Sequence, residues 1–230
     1  MVKISIKKSQ ICGKISCPPS KSYSHRAIVI SALSNGVSNL ENVLFSRDTI
    51  ATINCCKMLG ISIETNPLNQ IYQLNSSGDD LSLNSTGNLK ISSNGGRSGF
   101  ETPEDILNAA NSGTTIRLLT TTCSLVNNGF TILTGDKSLR KRPMSDLINS
   151  LNQLGVECYS SKISNTPPII VKGGGIKGGN VQINGQISSQ FISSLLLSCI
   201  YAKTKVTVNV LGNQVSKPYI LSTIAIMKKY

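Results

Sequence analysis

Gly13-Lys14-Ile15-Ser16, then Ser20-Lys21-Ser22, then the apolar stretch Ala27 to Leu33 and a Gly36-led strand from Val37 to Leu44: this run decides the fold, because it recurs. Gly179-Asn180-Val181-Gln182-Ile183 leads likewise into Ser188-Ser189-Gln190, an apolar run Phe191 to Ile200 and a strand Lys205 to Val210. Between them, Asn111-Ser112-Gly113-Thr114 opens the run Ile116 to Leu125, followed by Gly129 and a strand Phe130 to Thr134. Self-similarity of this kind signals one supersecondary unit used repeatedly. The first two copies add a second helix. Asp48 to Leu59 ends in Gly60 and a strand Ile61 to Ile63; Met144 to Leu154 ends in Gly155 and a strand Val156 to Cys158. Leu147, Leu151 and Leu154 fit a 3.6-residue period, and helix–Gly–strand punctuation predicts a left-handed C-terminal cap. The third copy's second helix is expected from Pro218, a first-turn proline, to Tyr230. By the rule of the first two copies the third unit is expected to be truncated, short of its Gly and strand.

The segment from Gln73 to Phe100 is rich in Ser, Asn and Gly and reads as turns and hairpin connections, with an inserted strand at Leu89 to Ser92. Pro167-Pro168 predicts an extended approach to a strand Ile169 to Lys172, with Gly173 to Gly175 a turn. No separate linker-joined domain is expected.

The 230 residues suffice for one large domain or two modest ones, and a hydrophobic content of 39% without Trp implies a core of Ile, Leu and Val. Disordered and collagen-like chains are excluded. No apolar run reaches the ~18 residues of a membrane span, and the alternating start from Met1 to Lys8 predicts a strand, not a signal peptide. The expectation is a soluble, cytoplasmic protein beginning at or near Met1. Seven cysteines without paired spacing, mostly in apolar runs, suit small hydrophobic thiols in a reducing compartment. With one histidine and eleven scattered carboxylates no transition-metal site is expected. The net charge of +12 leaves two classes of partner, a polyanion such as nucleic acid or small anions on which the cations converge.

The helix starts favour the second class. A helix N-terminus presents unpaired N–H groups and partial positive charge, which suit phosphate or carboxylate. Ser22, Ser188 and Ser189 add hydroxyl donors, while Lys21, Arg26 and Arg117 add full charge. Around a pseudo-threefold axis the three starts would converge on one small anion. Any single Ser or Asn there reads as an ordinary cap; three matched starts argue for more. The basic loop Gly135 to Pro143 places Arg142 before the second helix, where a guanidinium takes a carboxylate or phosphate bidentately. The loop lacks interleaved aromatics, so single-strand stacking has no platform. Ser216-Lys217-Pro218-Tyr219 holds the equivalent place in the third unit. His25, beside Arg26, is expected to stay neutral and serve as a hydrogen-bonding group.

Together these motifs resemble those of the 3-phosphoshikimate 1-carboxyvinyltransferase (EPSP synthase) family. Pro19-Ser20-Lys21-Ser22-Tyr23-Ser24-His25-Arg26-Ala27, Asn111-Ser112-Gly113-Thr114-Thr115-Ile116-Arg117, Gly135-Asp136 with Leu139-Arg140-Lys141-Arg142-Pro143-Met144, Ser188-Ser189-Gln190-Phe191 and Val215-Ser216-Lys217-Pro218-Tyr219 stand in the family's order and spacing. The match runs from about Ile4 to Tyr230 and covers the first half of a family member. The resemblance implies an α/β (α+β) fold: an inside-out α/β barrel domain of three βαβαββ repeats with pseudo-threefold symmetry, the third repeat truncated here. Residues 1–230 would form the first of two domains, with residues 1–12 packing on the second.

The implied reaction moves the enolpyruvyl group of phosphoenolpyruvate to the 5-hydroxyl of shikimate 3-phosphate and releases phosphate, without metal or organic cofactor. It belongs to chorismate and aromatic amino-acid biosynthesis. By motif, Lys21, Ser22, Arg26, Ser188, Ser189, Gln190, Ser216 and Tyr219 would hold shikimate 3-phosphate. Lys21, Gly113, Arg142 and Gln190 would face phosphoenolpyruvate with Arg117 nearby. No catalytic residue falls in this half beyond a supporting Lys21; the implied catalytic Asp and Lys belong to the other half, so this chain alone is expected to be inactive. The complete protein would be a monomer without nucleic-acid or membrane partners. The sister UDP-N-acetylglucosamine enolpyruvyl transferases resemble Lys-Asn where this chain has Lys21-Ser22, and carry a reactive Cys in the loop that here spans Gly135 to Pro143 and has none. A basic nucleic-acid-binding module is the competing class and rests on charge alone. Within the preferred family one departure stands out, Ala110 where Gly commonly precedes the Asn-Ser-Gly-Thr motif.

Overall fold

Thirteen consecutive residues without a proline form the first helix, α1 (Lys21–Leu33), which is buried at nearly every position from Ser24 to Leu33. A helix apolar on all sides belongs in an interior, and α1 packs against four others: α2 (Arg47–Met58), α3 (Gly113–Thr122), α5 (Ser189–Ser198) and α6 (Lys217–Met227). The remaining helix, α4 (Ser145–Gln153), lies against strands instead. The structure, a computed structural model, describes residues 4–5, 7–10, 12–14, 17–65 and 85–230. Its helices and strands are a mixed α/β arrangement with helix–strand–helix–strand order in the first two expected units and helix–strand–helix in the third.

Among the described residues three sheets flank the helices. The first has the order β1 (Asn35–Phe45), β3 (Ser85–Asn94), β2 (Ser62–Thr65), all neighbours antiparallel. In the second, β4 (Leu107–Asn108) runs parallel to β5 (Phe130–Thr134), which pairs antiparallel with β7 (Ile169–Lys172), and β7 with β6 (Cys158–Ser160). The third is the parallel pair β8 (Gly179–Asn184) and β9 (Val206–Leu211), bridged by α5.

The structure corrects several expected boundaries, each for a local reason. The strand expected at Leu89 to Ser92 is present but longer, the ten-residue β3 at the centre of its sheet, and it takes in residues read as turns on either side. Leu89 and Ile91 are buried while Lys90 faces out and reaches Glu64 at 3.6 Å, a period-2 signal within polar composition. Gly87 belongs there because any Cβ would strike the Phe45 ring. Residues 66–84 of that segment lie outside the described residues. Strands β2 and β6 start later than expected because Ile61 and Val156 are spent on helix termination. Their N–H groups donate to Cys56 and Leu151 at 3.1 and 3.0 Å, closing left-handed caps in which Gly60 and Gly155 have φ of +90° and +78°. The strand expected over Met1 to Lys8 is not formed at its described residues, which pair with none of the described strands, and Ile4 is exposed. Of the repeat's opening residues Gly13 to Ser16, Gly13 and Lys14 are irregular and residues 15 and 16 lie outside the described residues. The last helix stops at Met227.

The packing between core helices is unusually hydroxyl-rich. Thr121 and Ser194 meet at 2.6 Å and Thr122 and Ser198 at 3.2 Å across the contact of α3 with α5. Small side chains let the backbones approach, and these four hydroxyls pair across the contact, so the apolar core of Ile, Leu, Val and Phe closes around them. Cys55, Cys56, Cys123 and Cys158 are part of that core; burial pushes the Cys55 and Cys158 thiols up to about 12. They serve as small hydrophobes.

Candidate functional site

The starts of α1 and α5 converge as expected, but the third to join them is that of α6 and not that of α3, which contributes only Arg117, one turn further in. Ser22 and Arg26 from α1, Ser189 and Gln190 from α5 with its cap Ser188, Tyr219 from α6 with its cap Ser216, and Arg117 from α3 line one cavity of about 260 Å³, completed by Ile187 and Val215. Eight of the residues singled out in the sequence thus share one opening. Lys21, Gly113 and Arg142 are not in its wall.

Arg26 is the largest fully buried side chain, 1% exposed, and among the described residues it makes no ion pair. Its Nε donates to Thr223 Oγ1 at 2.6 Å, one terminal nitrogen to the Ser22 carbonyl at 3.0 Å, and the other to Ser193 Oγ at 3.2 Å. The guanidinium lies over the Tyr219 ring, 5.7 Å from its centroid, and burial lowers its pKa. A cation among neutral partners is incompletely compensated, which suits it to an incoming anion. Arg117 is similar. It donates to Gln190 Oε1 at 2.8 Å, approaches Ser188 Oγ at 3.5 Å and lies over the Phe191 ring at 5.2 Å, while its buried Nε has no partner. Burial first, then the nearby Arg142 charge, lowers its pKa.

Gly113 and Arg142 form an adjoining cluster. A Cβ on Gly113 would stand 2.5 Å from an Arg142 terminal nitrogen and 3.8 Å from one of Arg117, so both guanidinium groups crowd the first turn of α3. Arg142 does not stand at a helix start, as expected from Pro143. It follows the 3-10 turn Leu139–Lys141, its own N–H donating to the Leu139 carbonyl at 3.0 Å, and the cap of α4 is Met144. Its position is instead fixed by Asn111 Oδ1, which accepts from it at 2.6 Å; Asn111 in turn donates to Asp136 at 2.7 Å. Asp136 also accepts from the Leu139 N–H at 2.7 Å, and this bond foremost lowers its pKa. One carboxylate thereby organises the basic loop. Ala110, at the head of this motif, has φ +50°, a region that costs a non-glycine residue roughly 1 kcal/mol. Lys21 is held by Asp48 at 2.7 Å, partly exposed at the start of α1.

The cap interpretation also holds in part. Ser112 accepts from the Thr115 N–H at 3.1 Å and Ser188 from the Gln190 N–H at 3.3 Å, whereas Ser20 and Ser216 make no cap bond and Ser216 is left-handed, φ +55°. His25 is fully buried, its Nδ1 2.7 Å from Thr52 Oγ1. Its pKa falls to about 4, burial being the main cause and Arg26, the expected one, the smallest. Unfolded His25 binds a proton near pH 6.5 and the folded one only near 4. Its contribution to stability is therefore complete above pH 6.5 and is lost as pH falls towards 4. Chemical unfolding at pH 7 and pH 5 should differ by about 2 kcal/mol through this residue, and His25→Asn should flatten that slope. An equal slope in both proteins would contradict it.

The sequence reading passes over Thr223 and Ser193, and quotes Asn111 and Thr114 within a motif without a role for either side chain. Thr114 Oγ1 accepts from Gln190 Nε2 at 3.0 Å. Ser193 and Thr223 lie four residues after Ser189 and Tyr219, one turn deeper on the same helix faces, a spacing that would have found them.

A mixed α/β chain in which cationic side chains with few counter-ions meet near several helix starts has the chemistry that suits a small oxyanion. Its relatives agree. The family model for EPSP synthase (3-phosphoshikimate 1-carboxyvinyltransferase) matches residues 6–230, and the chain belongs to this family. It is 43% identical over 226 residues to the 3-phosphoshikimate 1-carboxyvinyltransferase of Methanosphaera stadtmanae, covering 97% of this chain and 48% of that one. Identity to the protein of the same name from Methanothermobacter thermautotrophicus is 39% over 224 residues, with the same coverage. Among solved structures, EPSP synthase from Acinetobacter baumannii superposes with a TM-score of 0.73 at 28% identity over 91% of this chain and 42% of its own. The chain spans about half the length of the curated relatives it matches.

Proposed function

We propose that this chain is one half of an enolpyruvyl transferase that carries the shikimate 3-phosphate site and part of the phosphoenolpyruvate site. In the reaction the 5-hydroxyl of shikimate 3-phosphate gives up its proton to a base as its oxygen bonds to C2 of phosphoenolpyruvate, while C3 takes a proton from an acid. The C2–phosphate bond then breaks, C3 gives a proton back, and the enolpyruvyl ether and inorganic phosphate result. The observation that carries the reading is the cavity itself. Arg26, Ser22, Ser188, Ser189, Gln190, Ser216 and Tyr219 line it together, in the family's motif order, and would hold shikimate 3-phosphate. Phosphoenolpyruvate would lie beside it, against Gly113, Arg142 and Arg117, with Lys21 at the shared border. A backbone N–H at a helix start and two guanidinium groups suit its carboxylate and phosphate.

In this reading the three units form an inside-out α/β barrel with pseudo-threefold symmetry, and residues 1–12 pack on the second domain of a monomeric, cytoplasmic enzyme. Among the described residues no helix is long and apolar enough to cross a membrane. Proton transfer at C3 needs an acid and a base close to that carbon. His25, buried and neutral, is placed for neither. The chain alone should bind shikimate 3-phosphate at millimolar to high-micromolar levels, about −4 to −6 kcal/mol, and turn nothing over. A phosphate-release assay on the chain, with and without a separately made second half, tests this. Turnover only with both halves supports the reading; turnover by the chain alone, abolished by Lys21→Ala, would show that the chemistry is misplaced.

A further inference from the structure

We propose that Thr223 and Ser193 are positioning residues that aim the Arg26 guanidinium into the substrate cavity, so that shikimate 3-phosphate affinity depends on two hydroxyls remote from the helix starts. This rests on the cavity being the shikimate 3-phosphate site. Both hydroxyl groups are fully buried and neither residue lines the cavity. A guanidinium has five N–H donors in a rigid plane. Thr223 takes the Nε–H, Ser193 and the Ser22 carbonyl take one hydrogen from each terminal nitrogen, and one N–H on each terminal nitrogen is left over. Two parallel donors are what a carboxylate or phosphate accepts bidentately.

The chemistry of the two partners matters as much as their place. A carboxylate at either position would fix the guanidinium equally well but would neutralise it. A hydroxyl fixes the plane and leaves the charge for the ligand. Thr223 is itself held: its Oγ1 donates to the Tyr219 carbonyl at 2.8 Å and stands 3.0 Å from Ser193 Oγ, so its lone pair faces Arg26. The three side chains come from equivalent places. Arg26, Ser193 and Thr223 each lie four residues after a cavity residue, Ser22, Ser189 and Tyr219, one turn into α1, α5 and α6. Nothing in the backbone requires a hydroxyl at 193 or 223; each serves the neighbouring helix.

The test is titration of the chain with shikimate 3-phosphate by calorimetry, with the Arg26 Nε–H followed by NMR. Thr223→Val, which keeps the shape and removes the acceptor, should weaken binding roughly tenfold and expose the Nε–H to exchange. Thr223→Ser should restore both. Ser193→Ala, which removes the acceptor of a terminal nitrogen instead, should weaken binding with the Nε–H still protected, and keeps the question open to test if Thr223→Val fails to fold. Binding unchanged in Thr223→Val or in Ser193→Ala, or lost in Thr223→Val with the Nε–H still protected, would overturn the proposal. Failure of the unaltered chain to bind shikimate 3-phosphate would overturn the functional reading, and this inference with it.

Discussion

Arg26→Met should abolish shikimate 3-phosphate binding while leaving the fold as stable as before, or more stable. The side chain is 1% exposed and its charge has only neutral partners. Exchanging a poorly compensated buried cation for an apolar chain of similar length is often neutral or stabilising. Met fills the stem's volume, and Thr223 keeps its bond to the Tyr219 carbonyl. Binding has no such relief. The ligand loses two charge-assisted hydrogen bonds, each worth about 1.5–3 kcal/mol, so affinity should fall at least ~100-fold. Calorimetric titration beside a urea melt separates the two effects. Retained binding would remove Arg26 from the site, and a collapse in stability would mean that its hydroxyl partners hold the helices together through it.

Gly113→Ala should act on the other substrate. The new methyl would stand 2.5 Å from an Arg142 terminal nitrogen. Because the obstructing atom ends a flexible side chain, the fold should yield at little cost. The guanidinium would then leave the position in which Asn111 holds it. In the reaction with both halves present, the KM for phosphoenolpyruvate should rise on the order of tenfold to a hundredfold, about 1.4–2.7 kcal/mol of lost binding. That for shikimate 3-phosphate, bound one helix away, should change less than about twofold. Steady-state kinetics with each substrate varied in turn reads this directly. An equal rise for both would mean general distortion.

What the sequence made legible was local. The Ser-Lys-Ser, Asn-Ser-Gly-Thr and Ser-Ser-Gln starts fall on α1, α3 and α5 because small capping residues and apolar runs act within one turn. Gly60 and Gly155 mark left-handed caps for the same reason. The one-residue spill of those caps into Ile61 and Val156 was not legible, since composition does not show which carbonyl a terminal N–H will choose. β3 was legible only at its centre, Leu89 to Ser92, because its burial signal is carried by Leu89 and Ile91 inside polar composition. Arg142's setting was missed for a different reason. Its partner Asn111 is 31 residues away, and a motif read along the chain does not reveal a contact across it. Thr223, which meets Arg26 from 197 residues away, is the extreme case.

The most direct test of the half-site is an amide chemical-shift titration of the isolated chain with shikimate 3-phosphate. The account predicts a saturable response at Ser22, Arg26, Ser188 to Gln190, Ser216 and Tyr219, with millimolar or tighter affinity and little change elsewhere. A response confined to the basic loop from Lys137 to Arg142, reproduced equally by inorganic phosphate, would contradict it.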